Sequence, residues 1–344
     1  MLLKAAVYYG PSDIRYENVP KPEVGSDEIL VKMKACGICG SDLEDWYLKD
    51  RAPLVLGHEP TGVVAEAGKD VEGFEVGDRV FVHHHVGCLT CHYCTHGDFT
   101  VCPKFRKTNI HPGGFAEYFR VPADNLLIDT LKLPSEVSFE AGSLIEPIAC
   151  CIRGLTRLDF RPGDSAAILG VGPMGAILTS LFKMHDASTI VVSDAVKFRL
   201  DTAKKLGADV AVDITAEEPV EAIKAATEGR GADVVIVATS SIKAYETAIK
   251  SCRRGGEVLV FAPIAATESL PLNMHYIFFN EVHLIPSYST THIETRMALN
   301  LLKSGRINSD LLITHKFPLG ELGRARELAK KDKNCLKVVM LGTQ

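Results

Sequence analysis

Ala166-Ala-Ile-Leu-Gly-Val-Gly-Pro-Met-Gly175 is the stretch whose reading decides the fold. A short apolar run, Ala166–Leu169, reads as a buried strand, and Met174 to His185 has the length of a helix. Between them Gly170, Gly172 and Gly175 fit G-x-G-x-x-G. The first glycine permits a tight turn, the second lets backbone approach a pyrophosphate, and the third allows close helix–strand packing. The helix N-terminus adds amides and a positive dipole end. Alone this pattern is weak. Asp194, closing the next apolar strand Ile190–Ser193, strengthens it, because a carboxylate about 20 residues on binds the ribose hydroxyls. The cofactor candidates are therefore Gly170, Gly172, Pro173, Met174, Gly175 and Asp194, with Arg199 close by. A carboxylate at 194 repels a 2′-phosphate and ranks NAD ahead of NADP; Lys197 and Arg199 soften that preference.

Outward from this turn the alternation continues. Phe198 to Leu206 reads as a helix closed by Gly207, and Asp233–Val237 and Val258–Phe261 read as further strands. Apolar strands alternating with helices predict an α/β unit with a parallel sheet covered on both faces. Before about residue 146 the texture differs, with β-branched residues, glycine and proline at short intervals. The N-terminal stretch from Met1, Ile29–Ala35, Gly62–Ala67 and Asp78–Val82 read as short strands of a barrel or sandwich, and Gly25–Glu28 and Gly77–Arg79 as hairpin turns. The tail from Ile293 holds a helix to Ser304 and ends on the strand-like Leu336–Leu341. His83-His84-His85 is read as a surface or loop run in preference to a metal site.

The 344 residues suit two domains, and a net charge of −5 argues against nucleic acid, which needs a basic surface. No apolar run approaches the ~20 residues that span a bilayer, and the N-terminus lacks a signal-peptide layout. A cytoplasmic protein is expected, free of membrane, whose ten cysteines stay reduced and bind metal where clustered.

Cys88-x2-Cys91-x2-Cys94-x7-Cys102 places four thiols in one loop, the donor set of a closed structural zinc site. The competing reading is an iron–sulfur cluster, whose ferredoxin run has a fourth spacing of three residues. Upstream lie Cys36-Gly-Ile-Cys39-Gly-Ser-Asp42 and Pro53-Leu-Val-Leu-Gly-His-Glu-Pro-Thr-Gly62; Glu146-Pro147 follows downstream. Cys36/Cys39 alone reads equally as half a zinc ribbon, a redox pair, or one ligand with a spectator. Taken together, Cys39, His58, Glu59 and Glu146 form the widely spaced set of an enzyme metal with room for substrate.

Across its whole length the chain resembles the zinc-containing medium-chain dehydrogenase/reductase superfamily, most closely the polyol branch typified by sorbitol dehydrogenase. The residues that carry the resemblance are Cys39–Asp42, Gly57–Glu59, the four-cysteine loop, Gly113-Gly-Phe-Ala-Glu-Tyr118, Glu146-Pro147, the Gly170–Gly175 turn and Leu206-Gly-Ala-Asp209. The resemblance implies a GroES-like β-barrel catalytic domain, residues 1–147 and 288–344, with the structural zinc lobe at 87–103. A Rossmann domain is inserted at 148–287. It implies two zinc ions per chain: Cys39, His58, Glu59 and Glu146 at the catalytic ion, and Cys88, Cys91, Cys94 and Cys102 at the structural one. It further implies Ser41 as the hydroxyl that hands the substrate proton away and Asp42 as the residue orienting a ligand imidazole. Glu44 stands where many members carry the relay's outer histidine. Arg153 replaces a residue that is often His or Asn; an arginine there suits an acidic or phosphorylated substrate, or a threonine-type amino alcohol, and equally a packing role or a surface ion pair. The implied activity is reversible oxidation of a secondary alcohol (a sugar, polyol or small diol) to a ketone, by a homodimer or homotetramer. A non-catalytic NAD-binding zinc protein on the same scaffold is the rival from another class. Trp46, Arg153 and Tyr288 are candidates for lining the substrate pocket.

Overall fold

A computed structural model describes residues 1–343 of the chain. In chain order the strands are β1 (Leu2–Gly10), β2 (Asp13–Pro20), β3 (Ile29–Gly37), β4 (Leu54–Val55), β5 (Pro60–Ala67), β6 (Arg79–Val82), β7 (Tyr118–Val121) and β8 (Thr130–Lys132). They continue as β9 (Ser165–Leu169), β10 (Thr189–Asp194), β11 (Val210–Asp213), β12 (Ala232–Val237), β13 (Cys252–Val260), β14 (His283–Pro286), β15 (Ile313–Pro318) and β16 (Lys337–Leu341). Two compact units result, one formed by Met1–Ala149 with the segment from Thr290, the other by Cys150–Ser289. Those divisions stand against 147/148 and 287/288 expected from the sequence.

The first unit holds two sheets, β2-β1-β4 and β15-β16-β3-β5-β6-β8, with β7 pairing β3. One core joins them. Ala6 and Tyr8 from β1 pack with Ile29, Val31 and Met33 from β3, Val80 and Val82 from β6, and Val338 and Met340 from β16. The other face of β1 places Leu3, Ala5 and Val7 in a smaller cluster with Ala116. Such two-sided burial is the period-2 alternation of a strand with both faces covered. Gly25–Glu28 forms a turn, in which the Gly25 amide donates to Glu28 Oε2 at 2.9 Å, but it closes no hairpin. β2 pairs with β1, to which it is joined by a tight turn, so β3 pairs instead with β5, β7 and β16. The turn hands the chain from one sheet to the other.

The second unit is one parallel sheet in the order β11-β10-β9-β12-β13-β14. Numbered from β9, this is 3-2-1-4-5-6, the dinucleotide-binding order, which reverses between β9 and β12. Every residue of β9 and β12 is buried, as expected for central strands covered by helices on both faces. The glycine-rich turn leaves the C-terminal end of β9, where such sheets bind ligands. Among the described residues no helix is long and apolar enough to cross a membrane.

Candidate metal centres and cofactor turn

The loop after β6 gathers four sulfurs. Cys88, Cys91, Cys94 and Cys102 present their ligand atoms within 4.8 Å of one another. The Cys91–Cys102 and Cys88–Cys102 sulfurs are 3.7 and 3.6 Å apart. Four thiolates about 2.3 Å from a zinc ion stand ~3.8 Å from each other, so the loop fits that ion. Backbone amides of Cys88, Cys91 and Lys104 donate to these sulfurs and favour their anionic forms. The amides of Thr90 and Cys91 bring the Cys88 thiol down to about 6, whereas burial pushes Cys94 up to about 12. Phe99 and Phe105 pack against the cluster. No disulfide forms among the described residues.

The second cluster joins the ends of β3 and the approach to β5. Of the Cys-x2-Cys pair, only Cys39 contributes: its sulfur, a His58 nitrogen and a Glu59 oxygen lie within 4.8 Å of one another. Cys36 is fully buried, and burial pushes its thiol well up. Ser41 and Asp42 occupy a short 3₁₀ turn, Gly40–Asp42, in which Asp42 Oδ2 accepts the Cys39 amide at 3.0 Å. Asp42 Oδ1 lies 3.6 Å from His58 Nδ1, close enough for its charge to act on the imidazole. Burial opposes a charge on His58, but Asp42 and Cys39 outweigh it and raise the imidazole well above its ordinary value. The turn itself is clamped. Gly57 has φ +87°, and a Cβ there would stand 2.9 Å from the ring of Phe115. The Gly114 amide donates to Gly57 O at 2.8 Å and the Phe115 amide to Leu56 O at 2.9 Å, so the Gly-Gly-Phe loop fixes Gly57-His58-Glu59.

Glu59 is fully buried against Lys337, itself 2% exposed. Lys337 Nζ donates to Oε1 at 2.7 Å and lies 2.6 Å from Oε2 without the alignment of a hydrogen bond, which leaves Oε2 unsatisfied. Burial raises the Glu59 carboxyl although the ammonium pulls it down; burial disfavours the Lys337 charge, but Glu59 more than compensates and raises it. We take the pair as ionised, since a buried ammonium and carboxylate in contact hold each other's charge. An unsatisfied carboxylate oxygen beside a thiol and an imidazole is a donor set that fits zinc. Glu146 is buried in the first turn of the helix Ile145–Thr156, close enough to act electrostatically on both Glu59 and Lys337 but outside the close trio.

The other sequence candidates are spread more widely. Ser41 is half-buried beside Cys39, whereas the Glu44 carboxylate accepts from Trp46 Nε1 at 2.7 Å. Arg153 is buried in the last turn of its helix and, like Tyr288, belongs to the second unit. The histidine run lies in the loop after β6, as read, but not at the surface throughout: His83 is fully buried and its Nδ1 pairs with Asp129 Oδ2 at 2.9 Å. The physical reason is that Asp129 is itself buried and gathers hydrogen-bonding partners there, Thr295 and Arg296 among them, so the His83 ring is drawn inside with it. His84 follows, its ring 4.8 Å from that of His58. Lys337 escaped notice in the sequence; its only signal is a lysine opening an otherwise apolar terminal strand.

In the second unit the three glycines divide their labour. Gly170 has φ +94°, a conformation that side chains resist. A Cβ on Gly175 would lie 2.1 Å from Gly170 O, whereas one on Gly172 meets nothing within 4 Å. That open space lies at the N-cap of the helix Pro173–Met184, with proline at N1, and forms a cradle that fits a pyrophosphate. Asp194 Oδ2 accepts the Val171 amide at 2.8 Å and Oδ1 the Val196 amide at 2.9 Å, which ties the carboxylate to the turn. Arg199 lies 3.8 Å from Asp194 Oδ2, and its buried Nε has no hydrogen-bond partner.

Comparison with known proteins agrees with both units. Residues 25–134 match the family described as alcohol dehydrogenase GroES-like domain, and residues 173–304 match zinc-binding dehydrogenase. Sorbitol dehydrogenase of Bacillus subtilis is 35% identical, over 98% of this chain and 97% of the relative. Among solved structures, 2R,3R-butanediol dehydrogenase of Bacillus subtilis superposes with a TM-score of 0.86 at 28% identity, covering 99% of this chain and 100% of that one. A Sinorhizobium meliloti chain described as a zinc-binding dehydrogenase, solved with NADP, reaches 0.89 at 28% identity and 99% coverage of both. The strand order, the two donor clusters and these likenesses lead to one conclusion: the chain belongs to the zinc-containing medium-chain dehydrogenase/reductase superfamily, in its polyol dehydrogenase branch.

Proposed function

We propose that this zinc-dependent, NAD(P)-dependent dehydrogenase oxidises one secondary hydroxyl of a sugar alcohol or small vicinal diol to a ketone, with NAD preferred. The observation that carries the reading is the convergence of Cys39, His58 and Glu59 within 4.8 Å, with the Asp42 carboxylate 3.6 Å from the imidazole. Zinc bound there supplies Lewis acidity that acidifies a hydroxyl, and the nicotinamide supplies a hydride acceptor. The residues do the rest. Cys39 and His58 hold the metal, Glu59 offers a carboxylate, and Glu146 adds negative charge nearby. Ser41, next to Asp42 on the same short turn, accepts the proton that leaves the substrate hydroxyl. Glu44 is a poor outer relay group, because its carboxylate is engaged by the Trp46 indole, so the proton passes from Ser41 to solvent. Gly172 and the amides behind it seat the pyrophosphate, and Asp194 binds the ribose hydroxyls.

The relatives named for sorbitol and butanediol favour a neutral polyol over an acidic substrate. Two zinc ions per chain, a homodimer or homotetramer, and a cytoplasmic location complete the proposal. The test is a panel of sorbitol, other polyols, aldoses, 2,3-butanediol, threonine and a sugar acid, each with NAD and NADP, read by reduced-nicotinamide absorbance. Turnover of a neutral diol or polyol that disappears in Cys39→Ala, with NADH binding retained, supports the reading. Turnover that survives in Cys39→Ala overturns it.

A further inference from the structure

Arg326 is a buried guanidinium to which the proposed chemistry gives no task. It stands on the inner face of the helix Leu322–Lys331, beside Leu322 and Ala325. Burying a charged side chain is costly unless its donors are met. Here they are met by the segment that carries the candidate catalytic metal site. Arg326 Nε donates to the carbonyl oxygen of Asp42 at 2.9 Å, and Nη2 donates to Asp45 Oδ1 at 3.1 Å. The Tyr8 ring centroid lies 4.9 Å from the guanidinium carbon, and the Tyr8 hydroxyl donates to the same Asp45 oxygen at 3.3 Å. Lys330, one helical turn on from Arg326, donates to Asp45 Oδ2 at 2.8 Å. A methionine at 326 would fill much of the volume at less cost, but it could not donate to Asp42.

Asp42 is the residue through which this grip reaches the metal ligands. Its amide donates to Cys39 O at 3.1 Å and its Oδ2 accepts the Cys39 amide at 3.0 Å, so the two residues are bonded both ways across one short turn. Its Oδ1 lies 3.6 Å from His58 Nδ1. A shift of the Asp42 backbone therefore moves the Cys39 backbone and the carboxylate beside His58 together. Asp45 opens the next short helix, Asp45–Leu48, so the fork of Arg326 ties down both the end of the Gly40–Asp42 turn and the segment that follows it. We infer that Arg326 is a positioning residue for the catalytic metal. It fixes the turn on which Cys39 and Asp42 stand, and thereby the spacing between the Cys39 sulfur and the His58 imidazole.

The inference rests on the metal reading of Cys39 and His58, and the experiment separates the two. Cobalt is loaded into that site of the full-length protein, with zinc retained in the four-cysteine lobe, and the visible spectrum and the release of each metal to a chelator are followed. A thiolate–cobalt band that persists in Cys39→Ala sinks the metal reading itself. Given a band that depends on Cys39, Arg326→Met should release cobalt about ten- to a hundredfold faster and shift the thiolate band, while zinc leaves the four-cysteine lobe at the parent rate. Ala325→Gly, which loosens the same helix without touching Asp42, should keep the parent spectrum and release cobalt within about threefold of the parent rate. Should Arg326→Met not fold, Asp45→Ala decides, since that side chain is half-buried and its loss frees one arm of the fork: cobalt release should rise at least about threefold. Parent-like release from folded Arg326→Met, an equal acceleration in Ala325→Gly or at the four-cysteine lobe, or parent-like release from Asp45→Ala where Arg326→Met does not fold, overturns the role of Arg326.

Discussion

The glycines of the cofactor turn are open to a paired substitution, Gly175→Ala against Gly172→Ala, in which one methyl group should damage the fold and the other only the cofactor site. At Gly175 the added carbon would stand 2.1 Å from the carbonyl oxygen of Gly170 and 3.1 Å from its carbon. Both are backbone, and Gly170 is itself fixed at φ +94° with its amide bonded to Ser193 O at 2.8 Å, so no side chain can swing aside. Overpacking of this kind costs about 1–3 kcal/mol or more, against a helix-propensity gain of about 0.8–1 kcal/mol for alanine. A net loss of about 1–2 kcal/mol should lower the melting temperature by roughly 2–8 °C. At Gly172 the methyl group meets no protein atom, and φ −70° with ψ −168° is ordinary extended backbone. The cost to stability should be under ~1 kcal/mol, because only an N-cap preference changes. The space it fills is that reserved for the pyrophosphate, so NADH affinity should fall at least about tenfold, or 1.4 kcal/mol. Thermal unfolding and a fluorescence titration with NADH measure the two effects on the same samples. A Gly175→Ala protein that melts with the parent, or a Gly172→Ala protein that binds NADH as the parent does, refutes the assignment.

Cys102→Ser should remove one zinc equivalent by elemental analysis and expose loop 88–102 to proteolysis, because Cys102 bonds or contacts the other thiols from the far end of the loop. Arg199→Ala should weaken NADP at least about tenfold while changing NAD by less than about threefold, by titration with each reduced cofactor; equal losses would show that Arg199 serves the fold instead. His85, brought to about 4 by burial, stays neutral in the folded chain where the unfolded chain, with an imidazole near 6.5, binds a proton. Stability should therefore be lost as pH falls from about 6.5 to 4, by roughly 2 kcal/mol at pH 5, and urea midpoints of His85→Gln should show that slope flattened. Asp233, buried at the start of β12, accepts from Ser165 N at 2.8 Å and Ser165 Oγ at 2.6 Å and pairs with Arg253. Burial raises its carboxyl, but these partners win and depress it, so its contribution is present above about pH 4 and is lost as pH falls further. Asp233→Asn should cost about 1–3 kcal/mol at neutral pH by denaturant titration.

What could be read in advance was local. The glycine spacing, the cysteine spacing and the apolar strands each depend on residues a few positions apart, and the structure places β9, β10 and β12 on the runs that carried those signals. Long-range pairings lack such a signature. Gly25–Glu28 resembles a hairpin turn because turn chemistry is local, whereas the choice of partner for β2 was settled by the tighter turn before it. His83 reads as polar surface because its partner Asp129 is 46 residues away. The helices Ala123–Asp129 and Leu322–Lys331 went unread; the second is amphipathic but rich in lysine and arginine, and one of those arginines, Arg326, is buried with Leu322 and Ala325 on its inner face.

Gly37 shows how far a short motif can be informed by distant residues. Within Cys36-Gly-Ile-Cys39 the glycine is an unremarked spacer, and the motif admits a redox pair as readily as a metal ligand. The fold removes the first option, since Cys36 is fully buried with its thiol pushed well up, which disfavours the thiolate that exchange chemistry requires. It also explains the spacer: Glu59 and Lys337, 278 residues apart, occupy the volume a side chain would take. Three strand ends thus meet at one glycine, β3 bringing Cys39, β5 bringing His58 and Glu59, and β16 bringing Lys337. The C-terminal strand is therefore part of the candidate metal centre and not only a border of the sheet. A change at the end of the chain that shifts β16 by one residue would turn Lys337 to the opposite face and leave Glu59 buried without its counter-charge.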